Sequence, residues 1–527
     1  MSGKVVIYDT TLRDGAQTLG ISLSVTDKLR IAERLNALKV DYIEGGWPGA
    51  NPRETDFFRQ VRKLKSKHSV VTAFGSTRRA NQRALKDPLI QGLIRAETQV
   101  VTIFGKTWDL HVKEALRVAP EENLRMIEDS VKTLRRAGRR VFYDAEHFFD
   151  GFRSNPDYAL QTIRTAAEAG AEVVILCDTN GGSLPGFIRQ AIAELRNAFP
   201  DLALGIHCHN DMELAVANSV AAVEAGAVQV QGTVNGYGER CGNANLVSIV
   251  PILQLKMGFH CLPAESLKQL KEASHYVAEV CNMRPEENQP FVGNAAFAHK
   301  GGVHINAVLK NPKTYEHIAP EVVGNQRKLL VSEMGGKSTI LSRAKALNMD
   351  LGADPSEAKK FLKTVQDLEA RGYHYEAAGA SFELLMRRSY KRFKRFFTLE
   401  GFRVVIEKRA DGAVESEATI QLQVDGESEH TASRGDGPVN ALDQALRKAL
   451  AGFYPKLKGM HLVDFKVRDL ESQSGTAARV RVLIQSQDEK ESWWTMGVSH
   501  NIIEASWLAL VDSIEYKLLK EDKSRKK

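Results

Sequence analysis

The chain has 527 residues, 43% hydrophobic and 26% charged, with a formal net charge of +7. These proportions exclude global disorder and fibrous repeats, and the length is too great for one compact core, since domains usually hold roughly 100–250 residues. No apolar run approaches the ~18 residues of a membrane span, the opening MSGKVVIYD does not read as a signal peptide, and the five cysteines include no CxxC pair, so a reducing cytoplasm is the expected setting.

Through about residue 255 the chain alternates short apolar, β-branched runs with stretches of helical periodicity. The runs are 5–9, 40–46, 69–75, 99–105, 139–147, 172–178, 202–209 and 228–234. Between two of them, Leu124, Ile127, Val131 and Leu134 fall on one face, with Pro120 before them and Gly138 after, which is the punctuation of a helix. Eight strand–helix units, each strand a continuous apolar run, predict a closed parallel (β/α)₈ barrel over residues 1–260 rather than an open sheet. Chemistry is then expected at the C-terminal ends of the strands. From 261 to 395 the rhythm breaks into helical pieces (263–281, 355–371, 376–394) around an extended, glycine-containing middle at 291–315. Residues 400–520 turn to period-two strands, with Ile420, Leu422 and Val424 in one group and Val480, Val482 and Ile484 in another. Each group precedes a helix, which predicts an α+β domain of two similar halves with a ligand between them. The basic run 386–397 carries six Lys/Arg and no acid. It reads as a solvated helix face or linker, and nucleic acid is not the expected partner.

Strand ends carry the chemistry. The first ends in DTTLRDGAQ, which puts Arg13 and Asp14 at the barrel mouth. The seventh ends in HCHND; side chains alternate along a strand, so His207 and His209 share one face, about 6–7 Å apart, while Cys208 turns away into packing. With Asp14 across the pore, two imidazoles and a carboxylate suit a divalent metal (Zn, Mn, Co or Mg) with positions left open for substrate. After the eighth strand, GYGERCGN lacks the spacing of a dinucleotide fingerprint; read alone it is a flexible loop, whose glycines suit close approach of backbone or of Asn243 to that metal. Glu239 and Arg240 read as a loop ion pair and Cys241 as a spectator. Glu44, Glu146 and Thr179 also end strands or follow them and point toward the mouth, where a carboxylate serves acid–base chemistry and Glu44 and Thr179 are expected to meet substrate.

As a set, DTTLRDGAQ, IEGGWP, YDAEH, DTNGG, HCHND, GYGERCGN and AFAHKGGVHINAVLKNPKTY resemble the 2-isopropylmalate synthase/homocitrate synthase/citramalate synthase family, over nearly the whole chain. The stretches AFGSTRR, TIFGKTWDLHV and DAEHFFDGF look most like its citramalate synthase branch. The resemblance implies a metal-dependent Claisen condensation of acetyl-CoA with a 2-oxo acid, followed by thioester hydrolysis. It implies a metal on Asp14, His207, His209 and Asn243, with Thr179 holding the substrate carboxylate and Arg13 the developing oxyanion. It further implies a base at His304 assisted by Tyr315, a part for Glu146 in orienting groups or in hydrolysis, and an obligate homodimer in which the segment of His304 serves the partner's barrel. His299 reads as an anchor of that segment. Phe104, at the end of the fourth strand, is expected to shorten the pocket and favour pyruvate over 2-oxoisovalerate, and isoleucine is the expected effector of the C-terminal domain. The other readings are a 2-isopropylmalate synthase and an acyl-CoA lyase on the same barrel. Two positions depart from many family members: Ala16 in RDGAQ, and HINA at 304–307.

Overall fold

The computed structural model describes residues 3–63, 68–329, 355–375, 377–390, 393–470 and 478–525. It divides into two compact units, one of residues 1–297 with 318–327, the other of 298–317 with 328–527.

The first unit is the predicted barrel. Eight parallel strands close in sequence order: β1 (Val6–Asp9), β2 (Tyr42–Gly46), β3 (Val70–Ser76), β4 (Val100–Lys106), β5 (Arg140–Glu146), β6 (Val173–Asp178), β7 (Ala203–Cys208) and β8 (Gln229–Gly232). Alternation along these strands sorts side chains into two cores. Ile7, Val101, Ile103, Val141, Val174, Leu176, Leu204, Ile206 and Val230 pack outward under the helices. Tyr8, Val100, Phe142, Val173, Ile175 and Cys177 fill the interior. Helix Pro120–Arg136 begins at its proline and carries Glu121 and Glu122 in the first turn and Arg135 and Arg136 in the last, which suits the helix dipole. Its Ile127, Val131 and Leu134 are buried, and Gly138 follows with φ +76°, a left-handed turn that glycine adopts without cost.

The second unit begins with a parallel strand pair, β9 (Ala298–His299) and β10 (Lys328–Leu329). Between them the structure differs from the extended expectation: Gly302–Lys310 is a helix, with Ile305 and Val308 buried one turn apart. The adjacent glycines suggest open chain, yet Gly301 is the N-cap, Ala307, Leu309 and Lys310 favour helix, and Ile305 and Val308 give it a buried face. The helices Pro355–Ala370 and Gly379–Ser389 pack through Phe361, Val365, Phe382 and Met386. Next come β11 (Thr398–Lys408), β12 (Val414–Val424) and β13 (Glu427–Gly435), an antiparallel sheet, with helix Pro438–Leu450. The same β-β-β-α order repeats as β14 (His461–Asp469), β15 (Val480–Gln487), β16 (Ser492–Ser499) and helix Ile502–Arg525. Both halves contribute to one core, which includes Ile420, Leu422, Leu446, Ile484, Trp507 and Leu510.

The basic run is not wholly a solvated face. Arg387 pairs with Glu383 at 2.7 Å, and Arg388 lies 2.8 Å from Asp512 and also pairs with Glu515. Carboxylates on the same and a neighbouring helix therefore draw two of the six cations inward; residues 391 and 392 of the run lie outside the described residues.

Candidate metal centre and active site

At the C-terminal mouth of the barrel a cavity of about 250 Å³ is lined by Arg13, Asp14, His207 and His209, by the aromatic side chains Trp47, Phe74 and Phe104, and by Asp144, Glu146 and Thr179. The chain leaves β1, turns at Thr10–Arg13 and delivers Asp14, only 3% exposed, to the cavity floor. His207 Nε2 lies 3.4 Å and His209 Nε2 4.0 Å from Asp14 Oδ2. The ligand atoms of these three buried residues all lie within 4.8 Å of one another, and no other such group of His, Cys, Asp and Glu occurs among the described residues. This is the spacing and donor chemistry that a divalent cation accepts.

Asn243 joins them through the backbone, bridging His209. Its Nδ2 donates to the Tyr237 carbonyl at 3.2 Å, whereas its buried Oδ1 has no hydrogen-bond partner. A buried acceptor left bare is costly and suits a fourth ligand. A Cβ at Gly238 would come within 2.1 Å of Asn243 Nδ2, so the glycine makes room for this amide. Cys208 is fully buried, as alternation requires, and Cys241 is exposed.

The electrostatics agree with a cation site. Burial pushes the Asp14 carboxyl up, but the adjacent Arg13 guanidinium and the bond to His207 outweigh it and hold the group well below the usual carboxylate range. Burial, reinforced by His207, brings His209 down to about 3, so this imidazole is neutral, with one ring nitrogen's lone pair available. His207 goes the other way: burial lowers it, yet the hydrogen bond and charge of Asp14 raise it overall.

Arg13 is fixed from three directions. Its Nε donates to Glu44 at 2.6 Å, its NH1 lies 3.2 Å from Asp14, and its guanidinium carbon sits 3.8 Å above the Phe74 ring. Glu44 itself is fully buried, accepts from Tyr8 Oη at 2.8 Å, and is not among the residues lining the cavity. It therefore holds Arg13 from below rather than meeting substrate. Phe104 stacks on Phe74 with centroids 5.4 Å apart, and Trp47 closes edge-on at 5.7 Å from Phe104, so one end of the cavity is a rigid aromatic wall. Glu146 faces the cavity while paired with Lys106, its opposite number across the β4–β5 ladder.

Thr179 is held at both ends. The backbone turns left-handed at His147 (φ 56°), and its N–H donates to Thr179 Oγ1 at 2.9 Å. The Thr179 carbonyl accepts from Arg240 at 2.8 Å. Arg240 does not chiefly pair with Glu239, which is 3.9 Å away, but grips Asp211 with two bonds of 2.7 and 2.8 Å. Consecutive loop side chains diverge, whereas Asp211 presents both oxygens in the forked geometry a guanidinium matches.

His304 and Tyr315 belong to the second unit, where their rings stack at a centroid distance of 4.1 Å. His299 bonds to the buried Glu316 at 3.1 Å, which fits the expected anchor.

Sequence reasoning did not single out Asp144 and Gln231. Asp144 lies two residues before Glu146 and shares its face, and Gln231 stands opposite His207 on β8. Burial, then the charge of Glu44, pushes the Asp144 carboxyl up to about 7. The folded metal-free protein thus favours the protonated acid, and the stability this contributes is present at low pH and lost as pH rises through 7. Asp144→Asn should therefore stabilise the metal-free protein by up to about 4 kcal/mol at pH 8 and by much less at pH 5. Thermal unfolding at the two pH values checks this, and an equal shift at both would count against it.

Comparison with known proteins gives the family. The model of the HMGL-like family matches residues 4–277, that of the homocitrate synthase post-HMGL domain 291–372, and that of the LeuA allosteric (dimerisation) domain 376–518. The chain is 54% identical to an (R)-citramalate synthase of Aquifex aeolicus, covering 99% of both chains, and 52% identical to one of Geobacter sulfurreducens, covering 98% of both. The chain belongs to the citramalate synthase and 2-isopropylmalate synthase family. Within it, a 2-isopropylmalate synthase of Methanocaldococcus jannaschii is 32% identical over 99% of this chain and 96% of its own, well below the citramalate synthases. No helix among the described residues is long and apolar enough to cross a membrane.

Proposed function

We propose that the chain condenses acetyl-CoA with pyruvate and hydrolyses the product thioester, giving citramalate and CoA. Nearly full-length identity of 49–54% to several citramalate synthases carries this reading, and the cavity supports it. A divalent cation on Asp14, His207, His209 and Asn243 would supply Lewis acidity to the keto acid. The remaining steps fall to the chain itself. Thr179 Oγ accepts from His147, so its O–H is left to donate to the pyruvate carboxylate. Arg13, clamped between Glu44, Asp14 and Phe74, keeps donors aimed at the oxygen where negative charge grows as the carbon–carbon bond forms. The acetyl methyl must lose a proton, for which we assign His304 as base with Tyr315 stacked on it, serving the barrel of a second copy in a homodimer. Glu146, paired with Lys106, is assigned to orienting water for thioester hydrolysis. Isoleucine is the proposed effector, bound by the two-half C-terminal domain, and the whole is assigned to the cytoplasm.

The aromatic wall decides the substrate. Pyruvate carries one methyl where 2-oxoisovalerate carries an isopropyl group, and a hydrophobic pocket distinguishes such groups by about 1–3 kcal/mol per methylene. Release of free CoA from acetyl-CoA should thus be faster with pyruvate by at least about tenfold, and isoleucine should slow it. Phe104→Ala should narrow the ratio. Equal or faster turnover with 2-oxoisovalerate would reject the assignment, and an unchanged ratio would remove Phe104 from it. Detection of condensation itself separates this reading from carbon–carbon cleavage by a lyase.

A further inference from the structure

Beneath the candidate metal group lie two polar residues with no part in the chemistry above. Gln231 is fully buried and directly opposite His207 on the β7–β8 ladder. His207 Nδ1 is 3.0 Å from Gln231 Oε1, and Gln231 Nε2 is 3.1 Å from Asp144 Oδ1. Asp144 is 4% exposed and reaches this amide from the far side, on β5. An amide has one accepting and one donating end. Asp144 Oδ1 is the acceptor of this contact, as a carboxylate oxygen or as the carbonyl oxygen of the acid, so it draws the NH₂ end to itself and leaves the amide oxygen facing His207. That oxygen in turn accepts only from an Nδ1–H, so the lone pair of the neutral ring lies on Nε2, the atom facing Asp14.

We infer that Asp144 and Gln231 form a relay that sets the tautomer and ring angle of His207, so that Nε2 is presented to a divalent cation together with Asp14 and His209. This rests on the reading of those three residues as metal ligands. Neither relay residue touches the cation; both act through His207 and are positioning residues. The amide also keeps a second carboxylate from bearing directly on the imidazole. His209 has no equivalent support, since its buried Nδ1 lacks a hydrogen-bond partner, so the preorganisation of the pair depends on His207. Loss of such an outer partner typically weakens metal affinity 10–100-fold.

The test is titration of the full-length metal-free protein with Co²⁺, whose d–d absorption reports ligation, in the wild type, Gln231→Leu, Asp144→Leu and Asp144→Asn. The two leucine variants should raise the Co²⁺ Kd about 10–100-fold. Asp144→Asn, whose side-chain carbonyl still accepts from Gln231, should stay close to the wild type. Thermal unfolding of each metal-free variant accompanies the titration; should Gln231→Leu fail to fold, the contrast between the two Asp144 variants still decides. Wild-type affinity in both leucine variants, or equal losses in Asp144→Leu and Asp144→Asn, would overturn the relay. If instead the wild type binds no stoichiometric Co²⁺, or Asp14→Ala binds it as tightly as the wild type, the metal reading itself is at fault and the relay falls with it.

Discussion

Asp14→Ala is expected to lower CoA release from acetyl-CoA and pyruvate by roughly 10³-fold and to remove tight divalent-cation binding. Asp14 is the only carboxylate of the three-residue group at the mouth. Without it, the cation would face two imidazoles and the Arg13 guanidinium, which is 3.2 Å from the Asp14 carboxylate in the structure. Neutral donors beside a fixed positive charge hold a dication poorly. Asp14→Asn keeps the shape and loses the charge, so its Kd should fall between the two. Thiol release measured at saturating substrate, alongside cation binding, separates loss of the ion from loss of the fold. Activity of Asp14→Ala within tenfold of the wild type would contradict the assignment.

Replacing Arg13 should have two separable effects. Removal of a preorganised donor at a developing oxyanion costs roughly 10²–10³ in kcat, and lysine cannot restore it, because an ammonium lacks the planar fork that meets Glu44 and the cavity together. The second effect is on stability. Glu44 is fully buried and bonded to Arg13 at 2.6 Å, and stranding one member of a buried pair costs about 3–5 kcal/mol. In Arg13→Ala/Glu44→Gln the stranded Glu44 charge is gone, and Asp14, which also loses its guanidinium neighbour, still has His207 beside it. The double variant should therefore regain much of the thermal stability while kcat stays low. If the activity returns with the stability, Arg13 acts only as scaffold.

The barrel is legible in the sequence because its strands are buried on both faces and so read as unbroken apolar runs, each matched by a strand within a residue or two. The same alternation that pairs His207 with His209 also pairs Asp144 with Glu146 and turns Gln231 inward, but a glutamine or aspartate inside a strand announces itself less than a repeated histidine. Register is what the sequence withholds. Lys106 meets Glu146, and Gln231 meets His207, only because neighbouring strands set those residues side by side. The Arg240–Asp211 pair joins two loops about thirty residues apart, while the adjacent Glu239 offers the eye a nearer but poorer partner. Helix Gly302–Lys310 is hidden by the glycines at its start, although Ile305 and Val308 already carry its buried face.

A divalent cation held by the barrel is expected to activate pyruvate toward an acetyl-CoA-derived nucleophile. The initial rate of CoA release from acetyl-CoA and pyruvate, taken before chelation, after exhaustive chelation and after a divalent cation is restored, tests it most directly. The rate should disappear on chelation and return with the ion; a rate unaffected by chelation, in protein verified to be metal-free, would rule out a cation in the reaction.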